Sequence, residues 1–356
     1  MKIFKSLFFL FAFAVLFISC ETDFETTAPY KDITVVYGLL DQKEQNQYIK
    51  INKAFLGEGN ALIYAKEADS SNYGYPMEVV LEEYNENGQM VNTIIFDTTR
   101  IYNKEAGVFY APEQIIYSGK PDFAHEIKVV VDISGDTVSV DTFWLNYKNT
   151  YKLKIKNPVS QKEIFSETKL VHDFDIDKPG YGLTIRFVTN PVNPKEFKWD
   201  KAENGGLNEL KVLFYYSEVY LNSNDTIEKS IELISSTVNS SSSSSTISYY
   251  YWDNDFFTSC INKIPYPDPT EEQNVVARFS GPVVTIVSVA EEEFTLYMEV
   301  YEPSTSIVQE KPEYTNIENG IGVFSARYRK SKPKKLHQES VIDLQNIDDN
   351  ILKFEY

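Results

Sequence analysis

Apolar side chains at every second position recur through most of this chain, and that period limits what it can build. Gln47 to Lys53 (QYIKINK) sets Tyr48 and Lys50 against Ile49 and Ile51, and Tyr151 to Ile155 (YKLKI) alternates cleanly. Such alternation gives one buried and one solvated face only in an extended strand. Similar runs follow at Ile33–Leu40, Met77–Tyr84, Val91–Phe96, Ile115–Tyr117, His125–Ile133, Thr137–Phe143 and Glu163–Val171, with a shorter one at Val108–Tyr110. Turn signals separate them, among them Asn85-Glu86-Asn87-Gly88 and Gly135-Asp136. Strands at this spacing predict a sandwich. The 25 Tyr and 23 Phe suit half-buried pleated surfaces.

A second β-rich region starts near His172. Leu183–Val188, Leu210–Val219, Thr226–Val238, Val275–Ser280 and Val283–Val289 read as strands. The Ser240–Ser245 run is too polar to bury and reads as a loop. Helical spacing is scarce. Ala61–Ala68 reads as a short helix. In Asp253–Ile264, Phe256, Phe257, Cys260, Ile261 and Ile264 share one helical face, with Asp253 as cap and Pro265 as stop. Cys260 is then a small core residue. Ser288 and Glu291 have capping-box spacing, ahead of a face formed by Phe294, Tyr297, Met298 and Tyr301. That stretch also alternates as a strand; the helix is the preferred reading. Val341, Leu344, Ile347 and Ile351 predict a short amphipathic helix near the C-terminus. The expected architecture is mostly β, with two sandwich-like domains in tandem over 31–171 and 172–328. A few short helices fall in the second, and a tail covers 329–356. Beyond roughly 250–300 residues single cores usually divide.

The N-terminus predicts an address. Lys2 and Lys5 precede an apolar run, Leu7–Ile18, of 12 residues, and then Ser19 and Cys20. This is the layout of a secretory signal over 1–19, and it is shorter than the roughly 20 residues of a spanning helix. Leu16-Phe17-Ile18-Ser19-Cys20 resembles a lipobox, with Phe17 where Leu is usual, so Cys20 is the expected lipidation site. Two acyl chains on its sulfur give stable anchoring, at about 0.8 kcal/mol per buried CH₂. Residues 20–30 form an acidic tether. In it Glu21, Asp23 and Glu25 resemble the export tract that sends some lipoproteins to the outer face of the outer membrane; a periplasm-facing body is the alternative.

The net charge of -18 argues against nucleic acid as a partner, because phosphate backbones are held by cations. Removing residues 1–19 takes away Lys2 and Lys5 and no acid, so the mature chain is more acidic still. With Cys20 acylated, Cys260 has no disulfide partner. His125, His172 and His337 have no metal-binding spacing. Asp173, Asp175 and Asp177 start like a calcium loop, but Lys178 stands where Gly is needed and Thr184 where Glu is needed. No cofactor, metal or catalytic constellation is expected. Tyr249, Tyr251 and Trp252 could form an aromatic platform for sugar, against a plainer reading as a half-buried strand. Arg327, Arg329, Lys330, Lys332, Lys334 and Lys335 form the one basic cluster. It suits anionic lipid or, more plainly, the acidic body of the same molecule.

Four stretches carry a resemblance: Val36–Leu40 (VYGLL), Ile51–Leu62 (INKAFLGEGNAL), the YKLKI strand with Ser166–Thr168, and Tyr314–Tyr328 (YTNIENGIGVFSARY). Together they resemble a family of uncharacterised Gram-negative surface lipoproteins that carry a domain of unknown function. The resemblance implies an Ig-like module before a second β-rich domain, and an association with TonB-dependent outer-membrane transporters. It supplies no catalytic residues. Asn316, Asn319, Gly320 and Gly322 in its glycine signature are either a ligand loop or, more plainly, a tight turn into a last strand. The leading expectation is a non-enzymatic binding or accessory lipoprotein at the cell surface. Its partner is then an outer-membrane transporter, an extracellular glycan or a protein. The alternatives are a secreted hydrolase using paired carboxylates and a purely structural envelope component.

Overall fold

A computed structural model describes residues 32–54, 61–131, 137–180, 182–221, 226–239, 244–268, 274–301 and 313–355. The signal segment, Cys20 and the tract Glu21, Asp23, Glu25 lie outside the described residues, as does most of the Ser240–Ser245 run.

The first module contains β1 (Thr34–Leu40), β2 (Gln47–Lys53), the short helices α1 (Ala61–Tyr64) and α2 (Ala68–Ser71), β3 (Glu78–Tyr84), β4 (Met90–Ile101), β5 (Gln114–Gly119), β6 (Glu126–Val131), β7 (Thr137–Phe143), β8 (Thr150–Lys156) and β9 (Glu163–Lys169). Met90–Phe96 of β4 pairs with β3, whereas Asp97–Ile101 pairs with β5. One strand thus passes from one layer of the sandwich to the other. Alternate residues of these strands (Ile49, Ile51, Val79, Leu81, Ile94, Phe96, Leu153, Ile155) meet in one core. The expected helix at Ala61–Ala68 is two single turns. Val108–Tyr110 stays outside the ladders; the Tyr110 N–H donates instead to Ala65 O at 2.8 Å.

The rest is β10 (Ile176–Lys178), β11 (Thr184–Ile185), β12 (Lys195–Asp200), β13 (Gly205–Tyr220), β14 (Thr226–Asn239), β15 (Thr246–Tyr251), α3 (Asp253–Lys263), β16 (Val275–Glu291), α4 (Glu292–Tyr301), β17 (Gly320–Leu336), α5 (Gln338–Gln345) and β18 (Phe354–Glu355). The long strands β14-β13-β16-β17 form an open sheet, and β10-β12-β15 form a small one. Phe214, Val287 and Ile231 from the first meet Phe197, Trp199 and Ile247 from the second, with Phe256 and Cys260 of α3, in a separate core. The molecule is mostly β and sandwich-like.

Some expectations need correction. Leu183–Val188 forms only the two-residue β11. Its next ladder partner is replaced by Ser340 of α5, whose Oγ accepts from Phe187 N at 2.8 Å and donates to Phe187 O at 2.9 Å. The two strands expected over 275–289 are one, continuous through Gly281-Pro282, where the pairing with β13 shifts register. Trp252, not Asp253, is the N-cap of α3; Asp253 sits in its first turn, 3.3 Å from Lys195 Nζ. Ser288 lies inside β16, and Glu291 alone caps α4, its Oε2 accepting from Glu293 N at 2.9 Å.

The largest correction concerns the boundary between the domains and the tail. β17 crosses residue 328 without interruption. Gly320–Ala326 runs parallel to all of β1, and Arg327–Lys335 runs antiparallel to β16. Phe324 and Ala326 belong to the first core, Tyr328 and Leu336 to the second. A single antiparallel bridge, Phe165 to Glu318, brings β9 back to the segment entering β17. The first module therefore closes on itself, with a strand supplied from near the other end of the chain.

Candidate functional site

The glycine signature is a seam of the first module. Asn316 Nδ2 donates to Phe324 O at 2.7 Å, and Phe324 N donates to Asn316 Oδ1 at 2.9 Å. Asn319, at φ 60°, donates from Nδ2 to Glu163 O at 3.1 Å. A Cβ on Gly320 would stand 2.8 Å from Thr34 O, and one on Gly322 2.0 Å from Val36 O. These groups hold β17 against β1 and β9, so the plainer reading describes what they do here. The three aromatic residues do not share one surface. Tyr251 is buried in the second core, Tyr249 packs against that core, and Trp252 is exposed at 46%.

The structure brings together a set that the sequence leaves scattered. A groove of about 420 Å³ lies where α4 overhangs the outer face of the large sheet, beside the end of β1. Phe294 and Met298, one turn apart on α4, form its roof. No residue of α4 is fully buried, so this wall is held by one side only. Leu207, Ile286 and Ala290 form an apolar floor. Asp41, Glu209, Lys211, Arg327 and Arg329 supply the charge. The register explains the convergence: Glu209 lies opposite Ser288, which lies opposite Arg329, and Ala290 lies opposite Arg327. Residues opposite one another across adjacent strands share a face.

The charges are unequally engaged. Lys211 Nζ is 2.8 Å from Glu209 Oε1. Arg327 Nε stands 3.8 Å from Asp41 Oδ2, and Lys43 N donates to Asp41 Oδ1 at 3.1 Å. Burial pushes the Asp41 carboxyl above its ordinary value, against the opposing pull of the Lys43 N–H and Arg327. Arg329 makes no ion pair among the described residues. The groove lining carries three cations and two carboxylates, a positive spot on an acidic protein.

Next to it lies a polar junction between the modules. Tyr328 Oη donates to Asp173 Oδ1 at 2.8 Å, Lys330 Nζ to the same oxygen at 3.0 Å and to Asp175 Oδ1 at 2.9 Å. Lys128 Nζ reaches Asp173 Oδ2 at 3.1 Å. Burial opposes ionisation of Asp173, but the Lys330 and Tyr328 hydrogen bonds win and hold its carboxyl below the ordinary range. Lys332 and Lys334 donate to backbone carbonyls at Ile176 and Gly180, at 2.5 and 2.6 Å. Much of the basic cluster thus serves the body of its own molecule. Asp173 and Asp175 serve Lys330 rather than a calcium loop.

A second cavity, about 450 Å³, is lined by Tyr73, Tyr75, Tyr117 and Arg100. Three of its polar side chains are engaged: Tyr73 Oη donates to Asp32 at 2.9 Å, Tyr117 Oη accepts from Met77 N at 2.9 Å, and Arg100 pairs with Glu113. Among the described residues no group of three or more His, Cys, Asp or Glu is placed to hold a metal ion, and no helix is long and apolar enough to cross a membrane. No protein-family model matches the chain, and no curated protein matches it.

Proposed function

We propose that this chain is an outer-membrane lipoprotein, anchored through Cys20 and exposed at the cell surface, that works as a binding or accessory module rather than an enzyme. Its partner is an outer-membrane transporter or an extracellular glycan or protein. The signal segment, the lipobox-like Cys20 and the tract Glu21, Asp23, Glu25 support the address. The family resemblance supports the transporter. The observation that carries the binding role is the groove under α4, where an apolar roof and Arg329, without an ion pair among the described residues, line the same space. Cys20→Ser is expected to move the protein from the membrane to the soluble fraction, and protease added to intact cells is expected to degrade the wild type. A Cys20→Ser protein that stays on the membrane would overturn the anchor, and a protected wild type the surface exposure. A pull-down recovering no envelope protein or glycan counts against the binding role.

The hydrolase reading keeps one observation in its favour: Asp41, with its raised pKa, and Glu209 line the same groove. Raised acids in a cleft are what a carboxylate pair needs. Against it, both Asp41 oxygens are engaged, by Lys43 N and Arg327, and Glu209 is paired with Lys211. Turnover of a polysaccharide that Asp41→Asn abolishes would establish that reading; binding without turnover supports ours.

A further inference from the structure

Resting on the binding reading above, the geometry points to a ligand class for the groove: a small organic anion, carboxylate or phosphate, with an apolar body. Arg327 and Arg329 are alternate residues of β17, so their Cα atoms stand roughly 7 Å apart on the outward face. Arg327 is loosely held at 3.8 Å from Asp41, and Arg329 is free of ion pairs among the described residues. A guanidinium meets carboxylate or phosphate through two parallel N–H donors, a geometry that ammonium lacks. Both Arg side chains are exposed, so neither has been desolvated in advance and a ligand can reach them.

The other half of the ligand is set by α4. Phe294 and Met298 close over Ile286 and Ala290, and the two arginines flank this apolar floor from the adjacent strand, beside Ala290 and Ser288. A thioether is soft and unbranched, so Met298 adapts to a flat or irregular body while Phe294 supplies a ring face. A volume of about 420 Å³ lies at the small-molecule end of ordinary ligand sites. A free inorganic anion would leave this slot wet, and a neutral apolar body would leave Arg329 without a partner. The protein's overall negative charge repels anions at long range, so selection must come from these short-range contacts.

The probes are 1-naphthyl phosphate, 1-naphthoate, neutral 1-naphthol and inorganic phosphate, titrated calorimetrically into the detergent-solubilised full-length lipoprotein. We expect the two naphthyl anions to bind more tightly than either 1-naphthol or inorganic phosphate. Arg329→Ala should weaken the naphthyl anions by about 10- to 100-fold and leave 1-naphthol unchanged. Phe294→Ala should weaken 1-naphthol and the naphthyl anions alike. Arg329 is exposed, so its variant is expected to fold; a matching far-ultraviolet spectrum checks this. If 1-naphthol binds as well as the anions, or Arg329→Ala leaves the preference intact, the ligand class is overturned while a binding role stands. If no naphthyl compound binds at millimolar concentration, the ligand class is again overturned. Membrane attachment and transporter pull-down with the same Arg329→Ala protein then test the broader role separately.

Discussion

The tightest constraint on single residues lies in the seam between β1 and β17. Gly322 takes φ 116°, a region L side chains rarely enter, and a Cβ there would stand 2.0 Å from Val36 O. Both the strain and the clash involve backbone, so rotamer changes do not relieve them. Gly322→Ala is expected to destabilise the first module by at least about 3 kcal/mol, measured by urea denaturation followed by tryptophan fluorescence. Gly107→Ala is the control: nothing lies within 4 Å of a Cβ there, and its change should be neutral or stabilising by up to about 1 kcal/mol. Equal midpoints for the two variants would remove the seam argument. At this scale the sequence was informative about residue types but not about partners. Asn-Gly spacing in Asn319-Gly320 marks a tight turn, yet nothing local says that Asn316 will clamp Phe324. Phe294, Met298, Arg327 and Arg329 were each visible, two as a helical face and two as basic residues. Their meeting depends on the register of β16 against β17, which no short window contains.

Elements were legible where a local period fixed them. Alternation located β2 and β8 to within a residue, because one face of each is buried and a slip would invert it. The 3.6-residue pattern located α3, since Phe256, Phe257 and Cys260 all turn inward. Legibility failed where a distant group took over a local task, as Ser340 does for Phe187 and as β1 does for the start of β17. The junction between the modules depends on such distant groups. Asp173 gathers Lys128 from β6 and Tyr328 and Lys330 from β17, and its folded pKa lies below the ordinary value. A carboxylate shifted down contributes stability that is fully present above the unfolded pKa, about 3.9, and is lost as pH falls through the folded one. Asp173→Asn should therefore cost about 1–3 kcal/mol near neutral pH. The gap to wild type should close as the pH drops through the acid range below about 4, where the native carboxyl becomes neutral too. Urea midpoints at several pH values check it. A gap that persists unchanged in acid would show that packing, not charge, makes the junction.

For the whole molecule, β17 makes two cores depend on one strand. Phe324 is fully buried in the first core, and Tyr328 nearly so in the second. Truncating a large buried aromatic residue alone costs about 3–5 kcal/mol, comparable to the stability of a small domain. Losing Ile317, Phe324 and Ala326 together, with seven residues of pairing to β1, exceeds what the first module can spare. Pairing between such distant segments also closes late, because loop entropy opposes it until the rest is ordered. Under the export proposed above, with the N-terminus crossing first, the first module cannot finish until β17 has followed. A fragment of residues 32–171 should accordingly fail to fold, exposing the β1 edge and aggregating. The same fragment with residues 313–327 appended through a glycine-serine linker should recover a cooperative transition and protected amides in β1. Hydrogen exchange reads both. Slow exchange at Val36 and Gly38, whose backbone groups face β17, in the fragment that lacks the appended strand would show that the first module is complete without β17, and that the chain is two independent domains after all.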